Sequence, residues 1–360
     1  MRKFVYGTGF QDVMSGTSTI RETFLGYDGN DIFNFYDGPK PFFTRDFTDR
    51  FIGGNGNDLM QGLNVDLKDV AAAYTTYAGL SFHGGAGYDT VRYDVVGTLA
   101  NTVRTSVDLS RFQSLERSVE HHEFRVTLDY VEDLIPSATN ADITGTNGDE
   151  TLRLTLTRAQ VEETAQSVGI TIDLKGGNDH FEFNGQSQIA STLNVNSGRG
   201  NDTVIINVST TSYSNVDKSR IITGQGNDTV VLDGMYQEVV SVGAGADEVY
   251  VLTGNFAHRP DVIDTGAGRD KVFLELDEYS TIARIRDFNA TLDKIIFDED
   301  ELRDTNVTFD KTVWESSSTP KLYMDNAAGK LYFGDNVMAT FDGTPTLTAA
   351  NFETDTWDFG

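Results

Sequence analysis

The sequence predicts an all-β fold, a right-handed parallel β-roll or β-helix in which short strands wind into stacked coils. Three observations carry that expectation. A glycine-rich phrase recurs: SGRGNDTVIINV and ITGQGNDTVVLDG share Gly-x-Gly-Asn-Asp-Thr-Val, with Asp202 and Asp228 26 residues apart. Residues after each Asp alternate, Val204, Ile206, Val208 and then Val230, Leu232, as a strand with one buried face does. Glycine makes up 35 of 360 residues, roughly a tenth against a usual ~7%, and hydrophobic content is only 38%. Such units cannot bury an apolar face alone, so they stack on neighbours.

The first block, residues 1–96, holds four candidate turns: GTGFQD ending at Asp12, GYDGND at Asp31, GGNGND at Asp58 and GGAGYD at Asp89. Two stretches lengthen the later spacings. One is the Pro-bearing loop GPKPFFTRDFTDR; the other is DLKDVAAAYTTY, where a short helix is expected. Residues 97–142 lack the motif and read as an irregular connecting β segment with a charged joint, LERSVEHHE. The second block, 143–300, has turns ending at Asp149 (GTNGD), Asp179 (KGGND), Asp202, Asp228, Asp247 (GAGAD) and Asp270 (GAGRD). Its TRAQVEETAQSVG predicts a helical insert, and DFNATLDKIIF closes the array with Asp293 in the next register. An inward apolar residue is expected two residues past each Asp, and the series reads Met14, Phe33, Met60, Val91, Leu152 (three past Asp149), Phe181, Val204, Val230, Val249 and Val272. Residues 301–360 predict a small C-terminal β cap, with LYMD and KLYF as a hairpin.

Most turns recur every 19 to 31 residues, and no second glycine-rich turn lies between them. The spacing therefore predicts one glycine turn per coil, all on one edge, with variable loops on the other. Glycine allows a positive φ and a sharp turn. The Asp carboxylates and turn carbonyls are hard oxygen ligands of the kind Ca²⁺ takes. The candidate metal residues are Asp12, Gly29, Asp31, Gly54, Gly56, Asp58, Gly85, Gly87, Asp89, Asp149, Gly177, Asp179, Gly198, Gly200, Asp202, Gly224, Gly226, Asp228, Gly243, Gly245, Asp247, Gly266, Gly268 and Asp270. The bland alternative for each is a turn whose Asp caps its own backbone.

The net charge is −27, from 28 Lys+Arg and 55 Asp+Glu. It opposes nucleic acid and anionic membranes as partners, and it makes a metal-free chain repel itself. There is no cysteine, so disulfides and thiolate metal sites are excluded. The opening MRKFVYGTGFQDVM lacks the apolar run of a secretory signal. No stretch approaches the ~20 apolar residues of a membrane span.

Catalytic motifs are missing. There is no HExxH helix and no GxSxG elbow. His121-His122-Glu123 sits where neighbouring side chains on a strand point to opposite faces. His83, His180 and His258 stand alone beside loops. No enzyme activity is expected. Phe42-Phe43 and Trp357 fit no strand pattern and are candidate contact residues.

The turns resemble the glycine-rich nonapeptide of the repeats-in-toxin (RTX) family, G-G-x-G-x-D-x-U-x, a calcium-binding parallel β-roll motif. LYMDNAAGKLYFGDN and MATFDGTPTLTAANFETDTWDFG look like the C-terminal tails of RTX proteins exported by type I secretion. The resemblance implies several Ca²⁺ ions between the turns of adjacent coils. It also implies a secreted protein, extracellular or at the cell surface, that meets the type I machinery on its way out. With repeats covering nearly the whole chain, the expected role is structural: self-assembly into an S-layer, matrix, filament or adhesin. The alternative is a polysaccharide-binding or polysaccharide-modifying module using the solenoid groove.

Overall fold

The computed structural model describes residues 2–15, 21–34, 50–66, 75–76, 81–86, 89–96, 104–108, 122–130, 139–144, 147, 149–158, 167–186, 190–209, 219–234, 238–252, 260–276, 283–299, 307–317 and 321–356. The chain is a β-solenoid of parallel stacked sheets. It divides into two compact units, 1–191 and 192–360.

In the first unit, Arg2–Tyr6, Arg21–Asp28, Arg50–Asn55 and Ser81–Ala86 pair in parallel, each with the equivalent strand of the next coil. A second parallel sheet runs Val13–Ser15, Ile32–Asn34, Leu59–Asp66, Asp89–Val96, His122–Tyr130, Glu150–Arg158 and His180–Gln186. Thr75–Thr76, Arg104–Asp108, Thr139–Thr144 and Ser167–Asp173 make a third. Residues 97–142 thus supply regular parallel strands in both of the latter sheets. The expected helices within 66–77 and 157–169 fall mostly outside the described residues, as do Phe42-Phe43, Trp357 and His258.

Between the sheets the inward positions stack. Phe24 lies over Phe51 at 4.9 Å between ring centroids, and Phe33 meets Phe51 edge-on at 5.6 Å. Phe33, Met60, Leu152, Phe181 and Phe183 are fully buried. The inward apolar step past each turn is what places them there.

In the second unit one sheet runs Thr203–Ser209, Thr229–Asp233, Glu248–Leu252, Lys271–Leu274, Lys294–Asp298 and Phe352–Asp355. The other runs Ala190–Asn196, Arg220–Ile222, Val239–Ser241, Asp261–Asp264, Ala283–Ile285 and Asn336–Phe341. Lys330–Phe333 and Leu322–Asp325 then add to this sheet antiparallel, as the expected hairpin and cap. A one-turn helix, Lys311–Glu315, starts on Asp310, whose carboxylate accepts from the Thr312 amide. Its Trp314 donates to the Gly334 carbonyl at 3.0 Å and stacks on Tyr323.

The strands of this unit differ from the expected single buried face. Val230 and Leu232 point inward as expected, but Val231 between them is also only 3% exposed. Register carries Val231 onto Tyr250, Phe273 and Ile296, an apolar row on the second face. Tyr250 and Phe273 stack at 3.9 Å between centroids.

Candidate metal centre

Each coil of the second unit reaches its turn from a strand such as Arg220–Ile222 and leaves it into one such as Thr229–Asp233. Gly224 (φ 99°) and Gly226 (φ 135°) bend the chain between them. Backbone bonds run from turn to turn: the Gln225 amide donates to Gly198, the Ala244 amide to Gly224 and the Ala267 amide to Gly243. A Cβ at Gly224 would lie 2.0 Å from the Gly198 carbonyl oxygen, and one at Gly226 1.7 Å from that of Gly200. Two glycines per turn are needed because the turn above approaches this closely. The result is two columns of glycine carbonyls along one edge, at 198, 224 and 243 and at 200, 226 and 245.

The Asp residues form a third column beside them. The Asp202 amide donates to Asp228 Oδ1 at 2.8 Å, Asp228 to Asp247 at 2.8 Å, Asp247 to Asp270 at 3.0 Å and Asp270 to Asp293 at 3.2 Å. The first unit repeats this from Asp12 to Asp31 and from Asp31 to Asp58, both at 2.8 Å. Asn residues one position earlier run the opposite way. Asn30 Oδ1 accepts from the Asn57 amide, and Asn201 Oδ1 from that of Asn227.

Each ladder Asp therefore spends one carboxylate oxygen on the preceding coil. The other oxygen is the one of interest. Oδ2 of Asp31, Asp247 and Asp270 is buried and accepts no hydrogen bond. A buried carboxylate without donors is costly to keep charged. Burial pushes the Asp247 carboxyl up to about 7, helped by the neighbouring Asp228 and Asp270 carboxylates. Burial likewise raises Asp270 to about 6, with Asp293 and Asp287 adding to it. Asp31, Asp228 and Asp293 are raised by burial too. A hard divalent cation fits these orphaned oxygens. Among the described residues no three acidic or His side chains converge on one point. An ion here would take its remaining oxygens from the glycine carbonyls.

Within each unit the described glycine and Asp residues of the turns line up coil on coil, but two of the expected residues do not behave as expected. Asp12 turns its Oδ2 back onto its own loop, accepting from the Thr8 amide at 2.5 Å and the Thr8 hydroxyl at 2.9 Å. Asp149 is out of register. Leu152 pairs with Phe181, so Glu150 rather than Asp149 aligns with Asp179. Asp149 takes the Asn position instead, accepting from the Asn178 amide at 2.7 Å. One coil earlier the aligned residue is His122, between Asp89 and Glu150. Gly87 and the side chain of Asp89 lie outside the described residues.

The closing residues are more specialised than their sequence suggests. Asp293 accepts from the Asn289 amide at 2.7 Å as well as from Asp270. Asp287 caps the last glycine turn, accepting from the Thr265 and Gly266 amides at 2.7 and 2.9 Å. Register alone marks Asp293, whereas Asp287 lies outside any turn motif.

No protein-family model matches the chain, and no curated protein matches it. The likeness of the turns to the RTX nonapeptide rests on the residues themselves.

Proposed function

We propose that this protein is a secreted calcium-binding structural protein of RTX type. It folds when its turns load with extracellular Ca²⁺ and then self-assembles at the cell surface. The single observation that carries the reading is the buried, donor-free Oδ2 of Asp31, Asp247 and Asp270 in turns whose glycine carbonyls lie close by. The chain carries a net charge of −27. Without cations, the cost of packing that charge and those carboxylates favours the expanded state. Sites of ~10⁻⁴–10⁻³ M suit a protein that stays unfolded at intracellular calcium and folds outside. Residues 301–360 serve as the type I export signal and afterwards as the cap of the second unit. The repeats occupy nearly all the chain, which leaves structure rather than chemistry as its task.

The test is a calcium titration from chelator to ~10 mM, read by circular dichroism and light scattering together. Folding followed by growth in particle size is the expected result. Folding to a stable monomer would retain the calcium solenoid but remove self-assembly, and a glycan screen would then follow. No calcium response would overturn the reading of the turns.

A further inference from the structure

The outermost coil of the first unit leaves a strand edge open. Arg2–Tyr6 pairs with Arg21–Asp28 on one side, and among the described residues no strand lies on its other side. Successive peptide groups of a strand point to opposite sides, so a parallel pair bonds through alternate residues. The Gly7 amide donates to the Leu25 carbonyl at 2.7 Å, so the odd-numbered residues serve that pairing. Phe4 and Tyr6 therefore turn their amides and carbonyls to the open side. Such a row of backbone groups is a template for another strand.

The side chains of this edge invite contact as well. Val5 lies in register with the buried Phe24, whereas Phe4 and Tyr6 face outward, 52% and 63% exposed. Their rings stack at 6.3 Å between centroids. Phe10 in the following turn and Tyr27 in the next coil are exposed too. Proteins commonly blunt an open edge with charge. The outermost strand of the second unit, Phe352–Asp355, is of that kind, with Glu353, Thr354 and Asp355 exposed. The Arg2–Tyr6 edge presents aromatic rings instead.

Charge selects the occupant. Residues 2–15 hold two cations, Arg2 and Lys3, against one anion, Asp12, in a chain of net charge −27. Lys3 is paired with the buried Glu22 at 3.0 Å. Copies of so acidic a chain repel one another over most of their surface, and at this edge that repulsion falls away. Antiparallel pairing of the strand with itself, centred on Phe4, sets Phe4 against the partner's Phe4 and Arg2 against the partner's Tyr6. No like charges then lie directly opposite, whereas parallel pairing would set Arg2 against Arg2. A guanidinium against a Tyr ring adds a cation–π contact. The arrangement is self-complementary, as a two-fold interface requires.

We propose that the Arg2–Tyr6 edge is the surface through which two copies of this chain join, strand against strand across a two-fold axis. The proposal rests on the self-assembly reading above and assigns it a surface. Pairing consumes the edge, so a larger assembly is built from dimers that meet elsewhere.

The test is sedimentation velocity of the calcium-loaded full chain over a range of concentrations, with circular dichroism of the same samples. Wild type is compared with the double variant Phe4→Lys, Tyr6→Lys, which places like charges across the axis. The expected result is dimers and their multiples in wild type and monomer in the variant, with the same calcium-induced circular dichroism. Assembly that survives both substitutions would overturn this surface and leave self-assembly standing. A folded wild type that stays monomeric at every concentration would overturn both. A variant-sensitive dimer that forms without calcium would overturn the calcium reading and support this pairing. Should the double variant fail to fold, Phe4→Cys replaces it. The chain has no cysteine, so a short thiol cross-linker acts only where one is introduced. Phe4→Cys should be captured as a covalent dimer and Asp355→Cys should not. Equal capture of the two, or none at Phe4→Cys, would overturn the proposal.

Discussion

Gly226 shows how little latitude a turn residue has. Its φ is 135°, and a Cβ would meet the Gly200 oxygen at 1.7 Å. Gly226→Ala should cost about 1–3 kcal/mol in backbone strain alone. Displacing the carbonyl above should also raise the calcium midpoint of folding. Gly9→Ala is the matched control, since nothing lies within 4 Å of its Cβ position. It should leave that midpoint unchanged. The Asp column makes a second prediction, about pH. Asp247 and Asp270, at about 7 and about 6, are raised above the ordinary Asp value. The folded state therefore binds protons that the unfolded chain releases. Their stabilisation of the metal-free protein is fully present at low pH and is lost as pH rises through those two values. Chelated protein should gain ordered circular dichroism on acidification from about pH 8 to about 5.5, and Asp247→Asn should flatten that dependence. At this scale the position of each turn is legible where glycine and Asp occur together. It slipped at Asp149, where GTNGDE offers an Asp one residue before the aligned Glu150. The inward Leu152, three residues past Asp149 rather than two, was the available sign.

The strand is the element whose character the alternation rule only half describes. Val204, Ile206, Val230 and Leu232 face inward as period two requires. Yet TVVLD, EVYVL, KVFL and KIIFD are nearly continuous apolar runs, the signature of strands buried on both faces. The row Val231, Tyr250, Phe273, Ile296 is the consequence. Phe273 is 2% exposed and stacked on Tyr250. Phe273→Ala should destabilise the second unit by about 3–5 kcal/mol, a loss readable in thermal unfolding of calcium-loaded protein. Val13 occupies a strand of the first unit but is 66% exposed, so Val13→Ala should stay within about 0.5 kcal/mol. A one-face reading would have ranked both substitutions as surface changes. The continuous apolar run in KVFL, against the lone Val13 in VMS, is the sign in the strands themselves that separates the two.

For the molecule as a whole, a net charge of −27 can be relieved in two ways, by screening or by site binding. Screening depends on ionic strength, and at 0.15 M it already acts beyond about 8 Å. The buried oxygens of Asp31, Asp247 and Asp270 lie within the fold, where dissolved salt screens poorly. NaCl at matched ionic strength should therefore compact the chelated chain without restoring its β signal, while Ca²⁺ does both. Mg²⁺ should fall short as well, because it demands near-octahedral geometry and gives up its waters reluctantly. The two units should also respond at different calcium concentrations. In the second, Asp202, Asp228, Asp247, Asp270 and Asp293 follow one another without a break. In the first, His122 and Glu150 stand in the column between Asp89 and Asp179. Stacked coils gain stability from each intact neighbour contact, so an uninterrupted column should fold at lower calcium and more steeply. Hydrogen exchange followed through the titration should show strands 203–298 protected before strands 89–186. Simultaneous protection of both sets would mean that the break in the column carries no energetic weight.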